Sequence, residues 1–181
     1  MNIRRCCQLI IPGLLWAWYL RAARATRSLQ IESHKCDYNG KYIESFNVSV
    51  VENRISCELL TKVRIPSAVK FHMGLERGAG PLGPYNSFFQ YDIDYCKTVG
   101  SYRKTLFKKW ILSVVKRGQF PRRCPWAKGT YSLRDWELSD ELIPQFIVSG
   151  HYRSKIITHL GSLGRPTYEM LVECVIISQL I

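Results

Sequence analysis

Residues 46–61 read Phe46-Asn47-Val48-Ser49-Val50-Val51-Glu52-Asn53-Arg54-Ile55-Ser56-Cys57-Glu58-Leu59-Leu60-Thr61, and this stretch decides the fold class. Phe46, Val48 and Val50 fall on one side of an extended chain, Asn47 and Ser49 on the other. That period of two is how a strand offers one face to a core and the other to water. Glu52-Asn53 is a turn-prone pair, after which Ile55, Cys57, Leu59 and Thr61 share one face of a second strand. The stretch therefore predicts two strands, with the sequon Asn47-Val48-Ser49 on the solvated side.

The same rhythm runs outward from it. Val69, Phe71, Met73 and Leu75 alternate with Lys70, His72 and Gly74, and Tyr91, Ile93 and Tyr95 alternate with Asp92, Asp94 and Cys96. Tyr131, Leu133, Trp136 and Leu138 suggest a strand near 130–138 with a break in its alternation, and residues 146–160 and 167–180 supply two more. One segment departs from the pattern. Leu106, Phe107, Trp110, Ile111, Val114 and Val115 recur at helical spacing, with Arg103, Lys104, Lys108, Lys109, Lys116 and Arg117 over the remaining circumference. A basic amphipathic helix is expected, ended by Gly118 and Pro121. Seven or eight short antiparallel strands with one helix in a long connection predict an all-β fold, a β-sandwich, with a barrel as the alternative.

The chain has 181 residues, 46% hydrophobic and 22% charged, which excludes disordered, collagenous and coiled-coil classes. With 26 Lys plus Arg against 14 Asp plus Glu, its net charge is +12, so nucleic acid, anionic membranes and acidic glycans come into consideration as partners. The N-terminus bears on that choice. Arg4 and Arg5 precede the uncharged apolar run Leu9 to Leu20, and Ala23-Arg24-Ala25 offers small residues to a signal peptidase. The run is shorter than the ~20 apolar residues of a membrane span. Residues 1–25 are read as a signal peptide, with an uncleaved anchor as the rival, and residues 26–181 as a single secreted domain with no transmembrane span. Cleavage would remove Cys6 and Cys7, leaving Cys36, Cys57, Cys96, Cys124 and Cys174 in an oxidising compartment. In a monomer one of these stays unpaired. Asn47 is then the expected glycosylation site.

Motifs with chemistry are few. Gly78-Ala79-Gly80-Pro81-Leu82-Gly83 spells G-x-G-x-x-G, but Pro81, Pro84 and a strand-like stretch stand where a dinucleotide loop needs a helix, so a hairpin loop is expected. Asp92 and Asp94 could share a metal ion on one strand face, and no phosphate-cradling loop accompanies them. His34, His72, His151 and His159 lack metal-ligand spacing, and G-x-S-x-G does not occur. No catalytic residue, metal or cofactor is assigned, and an enzyme built on Asp92 and Asp94 is the weakest reading. Secretion argues against nucleic acid as the partner of the basic helix. Its cations read as a solvated face, its apolar stripe as packing on the sandwich.

Asp94-x-Cys96, then Gly118-x-Phe120-Pro121-x-x-Cys124-Pro125, Gly129-x-Tyr131, Pro144 and Gly150-x-Tyr152 form an ordered series of anchors. In these the chain resembles an insect-expanded secreted domain family of unknown function that includes the CheB-type chemosensory proteins. That family is related to the ML-type lipid-recognition sandwiches, such as the ganglioside activator and the Niemann-Pick type C sterol carrier. The resemblance covers roughly residues 46–177. Pro121-Arg122-Arg123 departs from the Asn or His that often precede the Cys-Pro pair, and the loop 74–85 is unusually rich in Gly and Pro. The resemblance implies an immunoglobulin-like sandwich whose sheets splay around an acyl or sterol-like ligand. It also implies disulfides Cys36–Cys174 and Cys96–Cys124, with Cys57 left as a buried thiol. A pairing of Cys36 with Cys57 stays open at this point.

The expectation is a secreted, extracellular, non-enzymatic binding protein for a small hydrophobic ligand, a lipid or pheromone, in chemosensory signalling. Phe71, Met73, Phe88, Tyr91, Ile93, Phe107, Trp110, Ile111, Trp136 and Tyr152 are the candidate lining. The alternative is an extracellular interaction module that modulates a surface receptor or ion channel without a lipid.

Overall fold

The computed structural model describes residues 27–100 and 106–181, with side chains from 108 onward in the second segment. The signal-peptide reading and the side chain of Phe107 lie outside the described residues. The strands are β1 (Leu29–Tyr38), β2 (Ile43–Val51), β3 (Arg54–Thr61), β4 (Lys70–Gly78), β5 (Tyr85–Asp94), β6 (Thr130–Trp136), β7 (Gly150–Leu160) and β8 (Glu169–Leu180). Helices α1 (Tyr95–Gly100) and α2 (Leu106–Arg117) lie between β5 and β6, and a 3-10 turn spans Asp140–Leu142. Two antiparallel sheets result, a five-stranded one in the order β1-β8-β7-β4-β5 and a three-stranded one in the order β2-β3-β6. This is the all-β sandwich that the alternation predicts.

The quoted stretch folds as a two-residue hairpin. Val51 pairs with Arg54, and Glu52 and Asn53 take φ of 49° and 63°. Two successive left-handed residues match the twist of the flanking strands. The Asn53 side-chain oxygen accepts the Ile31 N–H at 2.9 Å, fastening the tip of this hairpin to β1 of the other sheet. The break in alternation near 130–138 is a β-bulge. Leu133 pairs with Cys57 and Trp136 with Ile55, so β6 carries one extra residue. Asp135 absorbs it at φ 49°, its N–H bonded to the Ser56 hydroxyl at 3.0 Å. The bulge turns both Leu133 and Trp136 toward the opposite sheet.

Four boundaries differ from the sequence reading. β1 is not evident in the alternation because it is a largely exposed edge strand with a bulge between Ile31 and Ser33. The strand read through Cys96 stops at Asp94, whose carboxylate accepts the Lys97 N–H at 3.0 Å and caps α1. Asp94 therefore serves a helix end, while Asp92 meets His72 Nδ1 at 2.8 Å. β7 begins at Gly150 rather than at 146, and β6 ends at Trp136. The G-x-G-x-x-G stretch joins β4 to β5, where a Cβ on Gly78 would lie 2.7 Å from the Tyr85 ring.

Each end of the sandwich has its own packed cluster. Ile43, Leu59, Ile65, Val69, Tyr95, Trp126, Leu160, Leu171 and Val172 form the larger; Ile143, Tyr152 and Leu180 form the smaller. Cys36 and Cys174 are register partners on β1 and β8 with sulfurs 2.07 Å apart, and Cys96 of α1 meets Cys124 at 1.92 Å. These are the pairs that the resemblance implied; Cys36 does not pair with Cys57, which is free among the described residues. Closing loops of 138 and 28 residues by these bridges stabilises the chain by ~3 to 5 kcal/mol each on the chain-entropy estimate. Gly118 ends α2 where a Cβ would come within 2.5 Å of the Ser132 carbonyl, which accounts for glycine at that anchor.

Candidate functional site

Two adjoining chambers lie between the sheets, the inner one against the larger cluster, seven of whose nine members line it. The inner one, about 280 Å3, is walled by Phe46, Val48 and Leu59 from one sheet and by Phe71, Ile93 and Val172 from the other. Ile111, Val114 and Val115 of α2 close one side of it. The helix thus presents its apolar stripe to the cavity, while Lys109, Lys116 and Arg117 stay in solvent. The outer chamber, about 460 Å3, is bounded by Leu29, Ile31, Leu75, Phe89, Pro144 and Phe146, with a polar rim that includes Arg27, Ser139 and Asp140. Ile55, Met73, Trp110, Trp136, Ile156 and Ile176 line both chambers and form their junction.

Hydrogen bonds hold the two junction indoles. Trp110 Nε1–H donates to the Leu142 carbonyl at 2.5 Å, which anchors α2 to the 3-10 turn. Trp136 Nε1–H donates to Ser113 Oγ at 3.0 Å, and that hydroxyl donates to the Trp110 carbonyl at 2.7 Å. An indole has one polar group, so satisfying it on protein leaves the ring for apolar contact. At the rim, the Arg27 guanidinium bonds Asp140 Oδ1 at 2.9 Å and the carbonyls of Ile143, Pro144 and Ile147 at 2.8, 2.9 and 3.2 Å. Arg27 thereby pins the start of the described chain to the loop that bounds the outer chamber.

Cys57 lines the inner chamber, and burial pushes its thiol up to about 11 despite an opposing backbone hydrogen bond at Leu133. It stays a neutral thiol at physiological pH. Tyr95 is pushed up to about 12, chiefly by burial and then by Tyr131, and its hydroxyl donates to the Pro121 carbonyl.

Of the candidate lining, Phe71, Met73, Ile93, Trp110, Ile111 and Trp136 come together around the chambers. Three others do not. Phe88 is 41% exposed, with its ring 6.3 Å from Tyr152 and 6.4 Å from Phe146. Tyr91 is 45% exposed and stacks on Phe89 at 6.2 Å. Tyr152 is packed in the smaller cluster, its hydroxyl donating to the Val148 carbonyl at 2.6 Å. Phe89, Leu75, Ile156 and Ile176 line the site and were not among the candidates. Counting back by twos from Ile93 gives Phe89 rather than Phe88, but also the exposed Tyr91, so alternation carried only part of that signal. Asn47 sits exposed on β2, opposite Glu58. Among the described residues no cluster of three or more His, Cys, Asp or Glu side chains could hold a metal, and no helix is long and apolar enough to cross a membrane.

The fold and site define a two-sheet sandwich with an apolar space between its layers. Residues 70–154 match the model of a family described as protein of unknown function, DUF1091. The match runs from the start of β4 into β7 and contains the anchors from Asp94 to Tyr152. It connects the chain to an uncharacterised domain family. No curated protein matches.

Proposed function

We propose that this chain is a secreted, non-enzymatic carrier or co-receptor that binds a small hydrophobic ligand between its sheets. The observation that carries the reading is the pair of chambers, about 280 and 460 Å3, lined from both sheets and from α2. Ligand pockets fall at ~300 to 1,000 Å3, so the joined space suits a lipid or an odorant-sized molecule. Removing ~300 Å2 of ligand surface from water contributes ~7 kcal/mol at ~25 cal/mol per Å2, which corresponds to micromolar binding before ordering costs. Two cysteine pairs at disulfide distance support an oxidising, extracellular setting. The likeness to chemosensory and ML-type lipid-recognition proteins gives the reading its biological direction.

The test is titration with the neutral, environment-sensitive dye N-phenylnaphthylamine, comparing the natural chain with Ile156→Trp, which fills the junction. Saturable fluorescence that the variant abolishes supports carriage; absence of binding by the natural chain ends the proposal. A second reading, an interaction module for a surface receptor or channel, draws on Phe88, Tyr91 and Phe146, which stay well exposed beside one another on β5 and the neighbouring loop. Loss of partner binding on Phe88→Ser, a residue that lines neither chamber, with unchanged dye binding would favour it.

A further inference from the structure

The two chambers differ in chemistry in a way that narrows the ligand class. The described lining of the inner chamber holds no Lys, Arg, Asp or Glu. The described lining of the outer chamber holds one cation, Arg27, and two carboxylates, Glu137 and Asp140. Four of the five N–H groups of Arg27 are already committed, one to Asp140 and three to backbone carbonyls. Among the described residues, a ligand carboxylate would find no free cation and two like charges at the rim, while a cationic head would lie beside Arg27. Either charge would also have to leave water for a largely apolar space.

Uncharged polar groups do wait there. The inward strip of β7 carries Ser154 next to Ile156, and that of β8 carries Ser178 next to Ile176. In register, Ser154 faces Ile176 and Ser178 faces Tyr152 and Ile31, which places the two serines as diagonal neighbours. Ser178 is 1% exposed and Ser154 is half-buried, and both line the outer chamber. A hydroxyl facing an otherwise apolar space favours a ligand oxygen, because a bond to it replaces the one that water would make. Each serine can both donate and accept, so each suits an alcohol, a ketone or an ester carbonyl.

We infer that the ligand is an amphiphile with an uncharged, oxygen-bearing head, held by Ser154 and Ser178 in the outer chamber, its hydrocarbon chain passing Met73 into the inner one. The inference rests on the reading that the space between the sheets holds a ligand. It is tested by displacing N-phenylnaphthylamine with probes of one chain length: the alcohol, its acetate ester, the carboxylate, the amine and the plain alkane. The alcohol and ester are expected to bind about tenfold more tightly than the carboxylate or the amine. Ser154→Ala with Ser178→Ala should weaken the alcohol about tenfold and leave the alkane unchanged. Unchanged alkane binding shows that the variant is folded, and Ser154→Ala alone carries the test if the double variant does not fold. Equal or tighter binding of the carboxylate or the amine, or an alcohol affinity indifferent to both serines, overturns the inference and leaves carriage standing. Failure of every probe, the alkane included, removes carriage itself.

Discussion

Cys57 and His159 show how burial, more than any neighbour, sets the chemistry of a side chain in this molecule. Holding the Cys57 thiol up at about 11 leaves little thiolate near neutral pH, so maleimide labelling of the native protein should run roughly a hundredfold slower than that of an open thiol. Occupancy of the inner chamber should slow it further; labelling at the open-thiol rate would mean that the chamber wall is not formed. His159 is 1% exposed, its Nε2 has no partner among the described residues, and burial holds it below the usual imidazole range. Lys70 and His72 also oppose its protonation, while the Leu160 carbonyl and Asp92 favour it. The unfolded chain therefore takes up this proton more readily, so stability is full above ~6.5 and declines as pH falls below that value. Thermal melts between pH 7 and 5 should show the decline, and His159→Gln should flatten it. A natural chain that gains stability on acidification would contradict the assignment.

At the scale of elements, α2 is held in place by side-chain bonds more than by its own propensity, since twelve-residue helices are marginal alone. Ser113→Ala removes the acceptor of the Trp136 indole, and a buried donor left unpaired costs ~1 to 3 kcal/mol. Urea unfolding should register that loss, and dye binding should weaken as the helix wall loosens. Unchanged stability would mean that water replaces Ser113 without cost. The hairpin at 46–61 was legible because alternation and a two-residue turn agree there. β1 was not, because an exposed edge strand with a bulge has no apolar face to display. α1 was hidden by an alternation that runs on through Tyr95, and only the capping position of Asp94 marks its start. The lining was half legible for a related reason: pattern tells which face of a strand is apolar, but a bulge or a slip of one residue exchanges Phe88 for Phe89.

For the whole molecule, the width of the gap between the sheets is what no run of residues displays. It follows from two packed clusters, the Arg27 clamp on the loop at 140–147, and the disulfide that ties α1, after β5, to the segment before β6 of the other sheet. Cys96→Ala with Cys124→Ala should lower stability by ~2 to 5 kcal/mol in equilibrium unfolding, while leaving the strands formed by circular dichroism. An unaltered midpoint would show that the bridge carries no constraint. The central claim, that the layers stand apart around a greasy ligand, is met most directly by crystallography of the protein soaked with a brominated long-chain alcohol. The account predicts an anomalous bromine peak between the sheets in contact with the inner-chamber side chains, and electron density for the head near Ser154 and Ser178. Interlocked side chains across Met73, Trp110, Trp136 and Ile156, with bromine only on the outer surface, would contradict it.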